Sequence, residues 1–388
     1  MAAYCRGKRS RATGRIRRPA VPAGFRFLIA YRRMRSALRH LVPPALLLLA
    51  ACGAPRPSIP AEESVTVPAG GEVVVWVEAP RYLAAPVLTM FSEQTGIVVK
   101  ATYREDAPDG FLDRLRSDAG AGKADLFWGS SSLSAVGLAR ADLAVPFRPS
   151  GSRPIPSQYR DRQFRWIGFA VDPRVIIFNN NLVSRDEAPQ SLDDLTEGRW
   201  AGKAAVARAA EGPAAFQAAA ILARRGDESG RRFYEEIAAA GNRVVATDGD
   251  VRRLVVAGEA AWGIVNLDQA ICAKRQADPV SIFFPDRVGP GALLVPHTAV
   301  LLRGAPNPAQ ARGLFGYLFA TETAWQVGQN DCAMMSLLPV VAMGIPKPEW
   351  VPVLGAVNIM PVDNEAVYDA WVRNAAFLAT WGAAPSGG

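Results

Sequence analysis

The sequence predicts an α/β fold built as two lobes, and three observations carry that prediction. From Glu72 onward, short strand-like runs alternate with helical segments of about ten to fifteen residues, the pattern of parallel sheets covered by helices. About 335 residues follow an N-terminal apolar segment, more than one hydrophobic core usually serves. Polar residues recur at one topological place, where strands end and helices begin, which is where open α/β sheets take ligands.

The elements are expected in this order. Residues 41–52 read LVPPALLLLAAC, with Arg35 and Arg39 upstream and small residues before Cys52. A charged region, an apolar stretch, a small-residue cleavage site and a cysteine read as a lipoprotein signal, with Cys52 as the lipidated first residue. The apolar stretch is about half the ~20 residues a bilayer-spanning helix needs, and Pro43 and Pro44 interrupt it. Met34 is a natural start for a signal of ordinary length. Arg32 and Arg33 are a poor fit to a twin-arginine signal. Residues 55–71 are rich in Pro and Gly and read as an extended tether.

A buried-strand run, EVVVWVEA, opens at Glu72. Residues 84–94 read as a helix stopped at Gly96, 97–103 as a strand, 111–118 as a helix, and 125–129 as a short buried strand entering a serine loop. Residues 164–179 hold two strand-like runs around Asp172 and Pro173. Helices are expected at 214–225 and 230–240, a strand at 243–246, a helix at 251–257 and a strand at 261–265. Strand-like runs follow at 282–284 and 293–302, a helix at 308–319, and an amphipathic helix at 364–378.

Charge excludes one class of function. Residues 1–51 hold 12 of the 44 Lys and Arg and none of the 36 Asp and Glu, leaving 32 basic against 36 acidic residues. The basic isoelectric point therefore belongs to the presequence, and a nucleic-acid partner is not expected. Two cysteines remain in the body of the chain, Cys272 and Cys332. They either pair in an oxidising compartment or stay buried and reduced.

Catalytic constellations are thin. His297 is the only histidine after the signal, so a triad would need it beside Ser130, Ser131 or Ser132, and nothing in the spacing argues for that. No phosphate-cradling or dinucleotide glycine motif follows a strand. Asp248-Gly249-Asp250 lacks the rest of a calcium loop and reads as a helix N-cap by Asp250. The positive signal is Glu78 with Arg81, Ser130 to Ser132, Asp248 with Asp250, and Asn266 with Asp268 and Gln269. All sit where helix N-termini offer free N–H groups to small polar or anionic solutes.

Six segments carry a resemblance: EVVVWVEAPRYLAAPVLTMFSEQTGI, ADLFWGSSS, WIGFAVDPRVIIFNNNLV, SLDDLTEGRWAGKAAVARAAEG, VAGEAAWGIVNLDQA and FFPDRVGPGALLVPHTAVLLRGAPNPAQARGLFGYLF. Together they resemble the solute-binding lipoproteins of bacterial ABC importers, of the type 2 periplasmic-binding fold, in the branch that includes iron(III)-binding proteins. The resemblance implies two α/β lobes across a cleft, joined by strands crossing near 168–174 and 291–298. It implies boundaries at 72–168 for lobe 1, 169–290 for lobe 2, 291–345 for a return to lobe 1 and 346–388 for a helical tail, after a signal at 1–51 and a tether at 52–71. Cleft-lining residues carried over are Glu78, Arg81, Tyr82, Ser130, Ser131, Arg174, Asp248, Asp250, Asn266, Asp268 and Gln269, with the 211–214 and 247–250 loops. Iron-binding members present two adjacent tyrosines after the strand that here reads WGIVN. This chain has Asn266-Leu267-Asp268-Gln269 there, so ferric binding by those ligands is not expected.

Two ligand chemistries stand: a cation held by Asp268 with Asp248 or Asp250, or an anion gripped by Arg81 and Arg174. The expected function is capture of a small solute by lobe closure and delivery to a permease and its ATPase, with no resident cofactor, by a monomer lipid-anchored on the periplasmic side of the envelope. With Gly53 after the cysteine, which membrane holds the lipid stays open. The rivals are a ligand-sensing lipoprotein that signals to a partner, and a hydrolase using Ser130 to Ser132 with His297.

Overall fold

The computed structural model describes residues 59–107, 110–346 and 349–383. The signal, Met34 and the Cys52 lipidation site lie outside the described residues. No helix among the described residues is long and apolar enough to cross a membrane.

The chain enters through a two-residue strand, β1 (Glu62–Glu63), then lays down β2 (Glu72–Val77), α1 (Arg81–Thr95), β3 (Val98–Tyr103), α2 (Phe111–Gly120), β4 (Leu126–Gly129) and α3 (Ser132–Arg140). Short strands β5 (Ala144–Val145) and β6 (Arg148–Pro149) lead to the long β7 (Ile167–Asn179). The next block is β8 (Ala204–Ala207), α4 (Gly212–Arg225), α5 (Asp227–Ala239), β9 (Arg243–Val245), α6 (Asp248–Val256), β10 (Trp262–Asn266), α7 (Leu267–Arg275) and β11 (Val280–Phe283). It closes with β12 (Leu294–Leu302), α8 (Pro308–Tyr317), α9 (Thr321–Gln329), β13 (Met335–Ser336), α10 (Asn364–Arg373) and α11 (Ala375–Thr380).

Both lobes hang on β7. All 13 of its residues are buried, so it shows no alternation: apolar runs flank a buried Asp172-Pro173-Arg174 centre. Its first half, Ile167 to Pro173, pairs antiparallel with β12; its second half, Arg174 to Phe178, pairs antiparallel with β10. Lobe 1 is the β3-β2-β4-β12-β7 side of the sheet and lobe 2 the β7-β10-β8-β9 side. Two prolines sit at the changeover: Pro173 opposite Leu294, and Pro296 opposite Val171. Each withholds an N–H from the ladder, so the sheet is least cross-linked where it must bend.

Three expectations are corrected. The two strand-like runs around Asp172 are one strand, since Pro173 falls where β7 changes partner from β12 to β10, a place that tolerates a missing N–H. The sheets are mixed, since β7 and β12 run antiparallel to their neighbours while β2, β3 and β4, and β8, β9 and β10, are parallel. The tail helix breaks at Asn374, whose Nδ2 donates to the Ala370 and Asp227 oxygens at 2.8 and 3.0 Å.

The segment read as a tether is seated on lobe 1 from Glu62. Strand β1 pairs with β6, Arg153 and Arg312 bond Glu62 and Glu63 at 2.7 Å each, and Val65 packs against the core beside Gly316. Helices α3, α7 and α9 had no sequence expectation. In α3 all residues but Arg140 are buried, leaving no amphipathic period to read.

Candidate functional site

Six strand-to-helix joints converge on one cavity of about 230 Å³. From lobe 1 come Glu78, Pro80, Tyr82 and Leu83 after β2, Arg104 after β3, Ser130 after β4, and His297 on β12. From lobe 2 come Ala207, the last residue of β8, with Arg208 and Glu211 to Ala214 after it, Ala246 to Gly249 after β9, and Asn266, the last residue of β10, with Asp268 and Gln269 after it. These are carboxyl ends of parallel strands, the crevice where such sheets bind ligands. A larger cavity of about 580 Å³ lies on lobe 1, but its walls are chiefly apolar side chains and prolines such as Leu337, Val340, Ile345 and Pro352, without a convergent polar set.

Two contacts bridge the lobes over the cavity. The Tyr82 hydroxyl donates to Asp268 Oδ2 and accepts from Gln269 Nε2. Arg104, beside Glu78 at 3.2 Å, also pairs with Glu211 of the other lobe. Asp268 is placed by α7, whose Leu267, Ala270 and Ile271 are fully buried and pin the helix. Burial first, and then the Asp268 charge, push the Tyr82 phenol far up, so it stays a donor.

Most cavity acids are already answered by the protein. Glu78 accepts from Ser130 N and Oγ at 3.0 and 3.2 Å, Ser134 Oγ at 2.9 Å and Arg104. Arg174 is buried and saturated: it donates to Gln217 Oε1 at 2.6 Å, Asn266 Oδ1 at 2.9 Å and Asp248 Oδ1 at 3.2 Å. Asp172, behind Asp268, is fully buried; burial and then the Asp268 charge hold its carboxyl well above the usual range. Burial also raises Asp268.

The uncommitted groups are donors. Arg208 lines the cavity, exposed, with no ion pair among the described residues. Helix α4 begins at the cavity with Glu211 as N-cap and no side-chain cap. His297 is 1 % exposed; its Nδ1 accepts from Trp128 Nε1 at 3.4 Å and its Nε2 has no partner among the described residues. Since Nδ1 accepts, the neutral ring carries its proton on Nε2. Burial drives the ring pKa down to about 4. A metal-binding histidine needs its other nitrogen to donate, so this tautomer suits donation to a ligand oxygen. The β7–β12 register shifts beside the ring, between His297 and Thr298, where Phe169 of β7 is the extra residue.

The structure brings together Glu78, Tyr82, Ser130, Asp248, Asn266, Asp268 and Gln269 among the expected residues. Arg81 is placed elsewhere: it is exposed and bound to Asp106 Oδ2 at 2.7 Å, with its ring neighbour Tyr103 at 4.0 Å. Arg174 is committed as above. Ser131 caps α3 through Leu133 N at 3.3 Å. The N-cap of α6 is Thr247, not Asp250; Asp250 closes a capping box on it at 2.9 and 3.1 Å, since the fourth residue of the turn is the one that reaches back. Sequence reasoning missed Arg104 and Arg208 as cavity residues and weighed His297 only as a catalyst. Arg208 follows a buried AAVA strand, the same signal that flagged Ser130. Among the described residues, no group of three or more His, Cys, Asp or Glu is arranged to hold a metal ion.

Two α/β lobes hinged on crossing strands, with polar strand-end joints facing a cavity, define a solute-binding protein of the type 2 periplasmic fold. The chain belongs to the bacterial extracellular solute-binding protein family, whose profile matches residues 137–356. It is 24 % identical over 276 residues to an Fe(3+)-binding periplasmic protein of Serratia marcescens, covering 66 % of this chain and 79 % of the relative. It is 22 % identical over 327 residues to a probable ABC transporter periplasmic-binding protein of Sinorhizobium fredii, covering 80 % and 84 %. The apo ferric ion-binding protein A of Pasteurella haemolytica superposes with a TM-score of 0.69 at 23 % identity, over 79 % of this chain and 96 % of that one. The family and these neighbours are binding proteins rather than enzymes.

Proposed function

We propose that this protein captures a small anionic or acceptor-rich solute by lobe closure and hands it to an ABC-importer permease, tethered by a lipid on Cys52. One observation carries the ligand reading: the cavity acids are bound by Arg104, Arg174 and Tyr82, while Arg208, the uncapped start of α4 and the His297 Nε2–H remain to donate. A solute supplying acceptor oxygens completes those groups; a cation leaves them facing it unpaired. Similarity to the probable ABC transporter periplasmic-binding protein of Sinorhizobium fredii supports delivery to a permease.

The contact residues in this reading are Tyr82, Ser130, Arg208, Asp268, Gln269 and His297, with Glu78, Asp248 and Asn266 holding them in place. Thermal-shift titration with phosphate, citrate, phosphonates, polyamines and ferric salts tests it. An oxyanion that raises the midpoint in the wild type, and raises it less in Arg208→Ala, supports the proposal. A shift from polyamine or ferric salt alone, or no oxyanion shift, refutes it.

A further inference from the structure

The structure assigns the Cys272–Cys332 disulfide a positioning role: it is a covalent link between the lobes that holds the cleft face of α7 in register with Tyr82. The two cysteines are 60 residues apart with Cα atoms 4.5 Å from each other. Cys272 lies on α7, packed into lobe 2 against β10 and β11. Cys332 lies between α9, which packs on α1, and β13, whose Met335 pairs with Val171 on the lobe 1 half of β7. The bond therefore crosses from one lobe to the other, three residues of chain before the short strand β13 that pairs with β7.

Its place on α7 gives it consequence. Cys272 stands one turn after Asp268, so both project from the same helix face. One holds Tyr82 of lobe 1 by a hydrogen bond and the other holds lobe 1 covalently. A single side chain closes the circuit: Asn330 donates to the Tyr82 carbonyl at 2.8 Å and accepts from Cys332 N at 3.2 Å. Tyr82, Asn330, Cys332, Cys272 and Asp268 thus form one ring of contacts spanning the cleft edge. Prolines loosen the β7–β12 crossing, which left alone allows twisting as well as bending. A link beside that crossing limits how far the lobes part and keeps α7 from sliding off lobe 1. Helix α10 bridges α3 and α4 on another face, so some coupling remains without the disulfide.

The functional meaning rests on the solute-capture reading, but the test needs no solute. The purified protein is unfolded without reductant to strip any bound solute, refolded, and mapped for disulfides. Small-angle scattering is then recorded for the oxidised protein, for the same protein fully reduced with TCEP, and for Cys272→Ser/Cys332→Ser. The expected result is a larger radius of gyration and maximum dimension in both disulfide-free forms, with unchanged far-UV circular dichroism. Equal scattering in all three, or free thiols at Cys272 and Cys332 in the oxidised protein, overturns the proposal. If the double variant does not fold, the reduced wild type supplies the comparison. Failure of the solute-capture reading alone would leave these curves as they are and show only in the ligand titrations.

Discussion

The Tyr82 hydroxyl of lobe 1 donates to the Asp268 carboxylate of lobe 2 across the cavity, and it does so with the carboxylate buried and the tyrosine partly exposed. A hydrogen bond to a charged, buried acceptor contributes about 1.5–3 kcal/mol. Tyr82→Phe keeps the ring and removes the donor, leaving Asp268 with less compensation. Denaturant unfolding of the variant is expected to show a loss of about 2 kcal/mol with unchanged secondary structure. Wild-type stability would mean the contact is not held in solution.

His297 gives a pH signature. Its folded pKa, about 4, lies below the ordinary value of 6.5 because burial penalises the charged ring. The stability this group contributes is complete above pH 6.5 and is lost as pH falls through 4, by roughly 3 kcal/mol for a depression of this size. His297→Gln removes that dependence. The stability gap between wild type and variant should therefore shift in the variant's favour on going from pH 7 to pH 4. Parallel pH profiles would contradict the buried neutral ring.

Asp172 predicts the opposite sign. Its folded pKa is raised by burial and by the Asp268 charge, so its contribution is complete below the ordinary carboxylate range and is lost as pH rises through the folded value. Asp172→Asn keeps an oxygen for the Asp268 N–H, now 3.1 Å from Asp172 Oδ1, and removes the charge. Its melting temperature should exceed that of the wild type at pH 8 and converge with it near pH 4. A lower melting temperature at pH 8 would show that attraction to Arg174 outweighs burial.

Local pattern carried much of the fold and part of the site. The strand ends were legible because buried runs such as DLFWG and WGIVN stop abruptly at polar residues, and those ends place Ser130 and Asp268 at the cavity. Which polar residues face a ligand was not legible, because it depends on partners distant in sequence. Arg174 looked like an anion grip, yet Asp248 and Gln217, 74 and 43 residues away, consume its donors. Glu78 looked like a ligand contact, yet it organises Ser130, Ser134 and Arg104. Arg81 looked like part of the cleft, yet the acidic turn Glu105–Asp106 draws it aside. His297 reads as a core residue in its strand, and only the vacant Nε2 beside the cavity shows another use.

Native mass spectrometry tests solute capture most directly. The stripped protein is incubated with a small-molecule extract of growth medium, desalted and measured intact, beside Asp268→Ala treated in the same way. A one-to-one small-molecule adduct is expected on the wild type, released by unfolding and reduced at least tenfold in Asp268→Ala, the effect of losing about 1.4 kcal/mol of binding. No adduct, or one equally abundant on Asp268→Ala, would contradict solute capture.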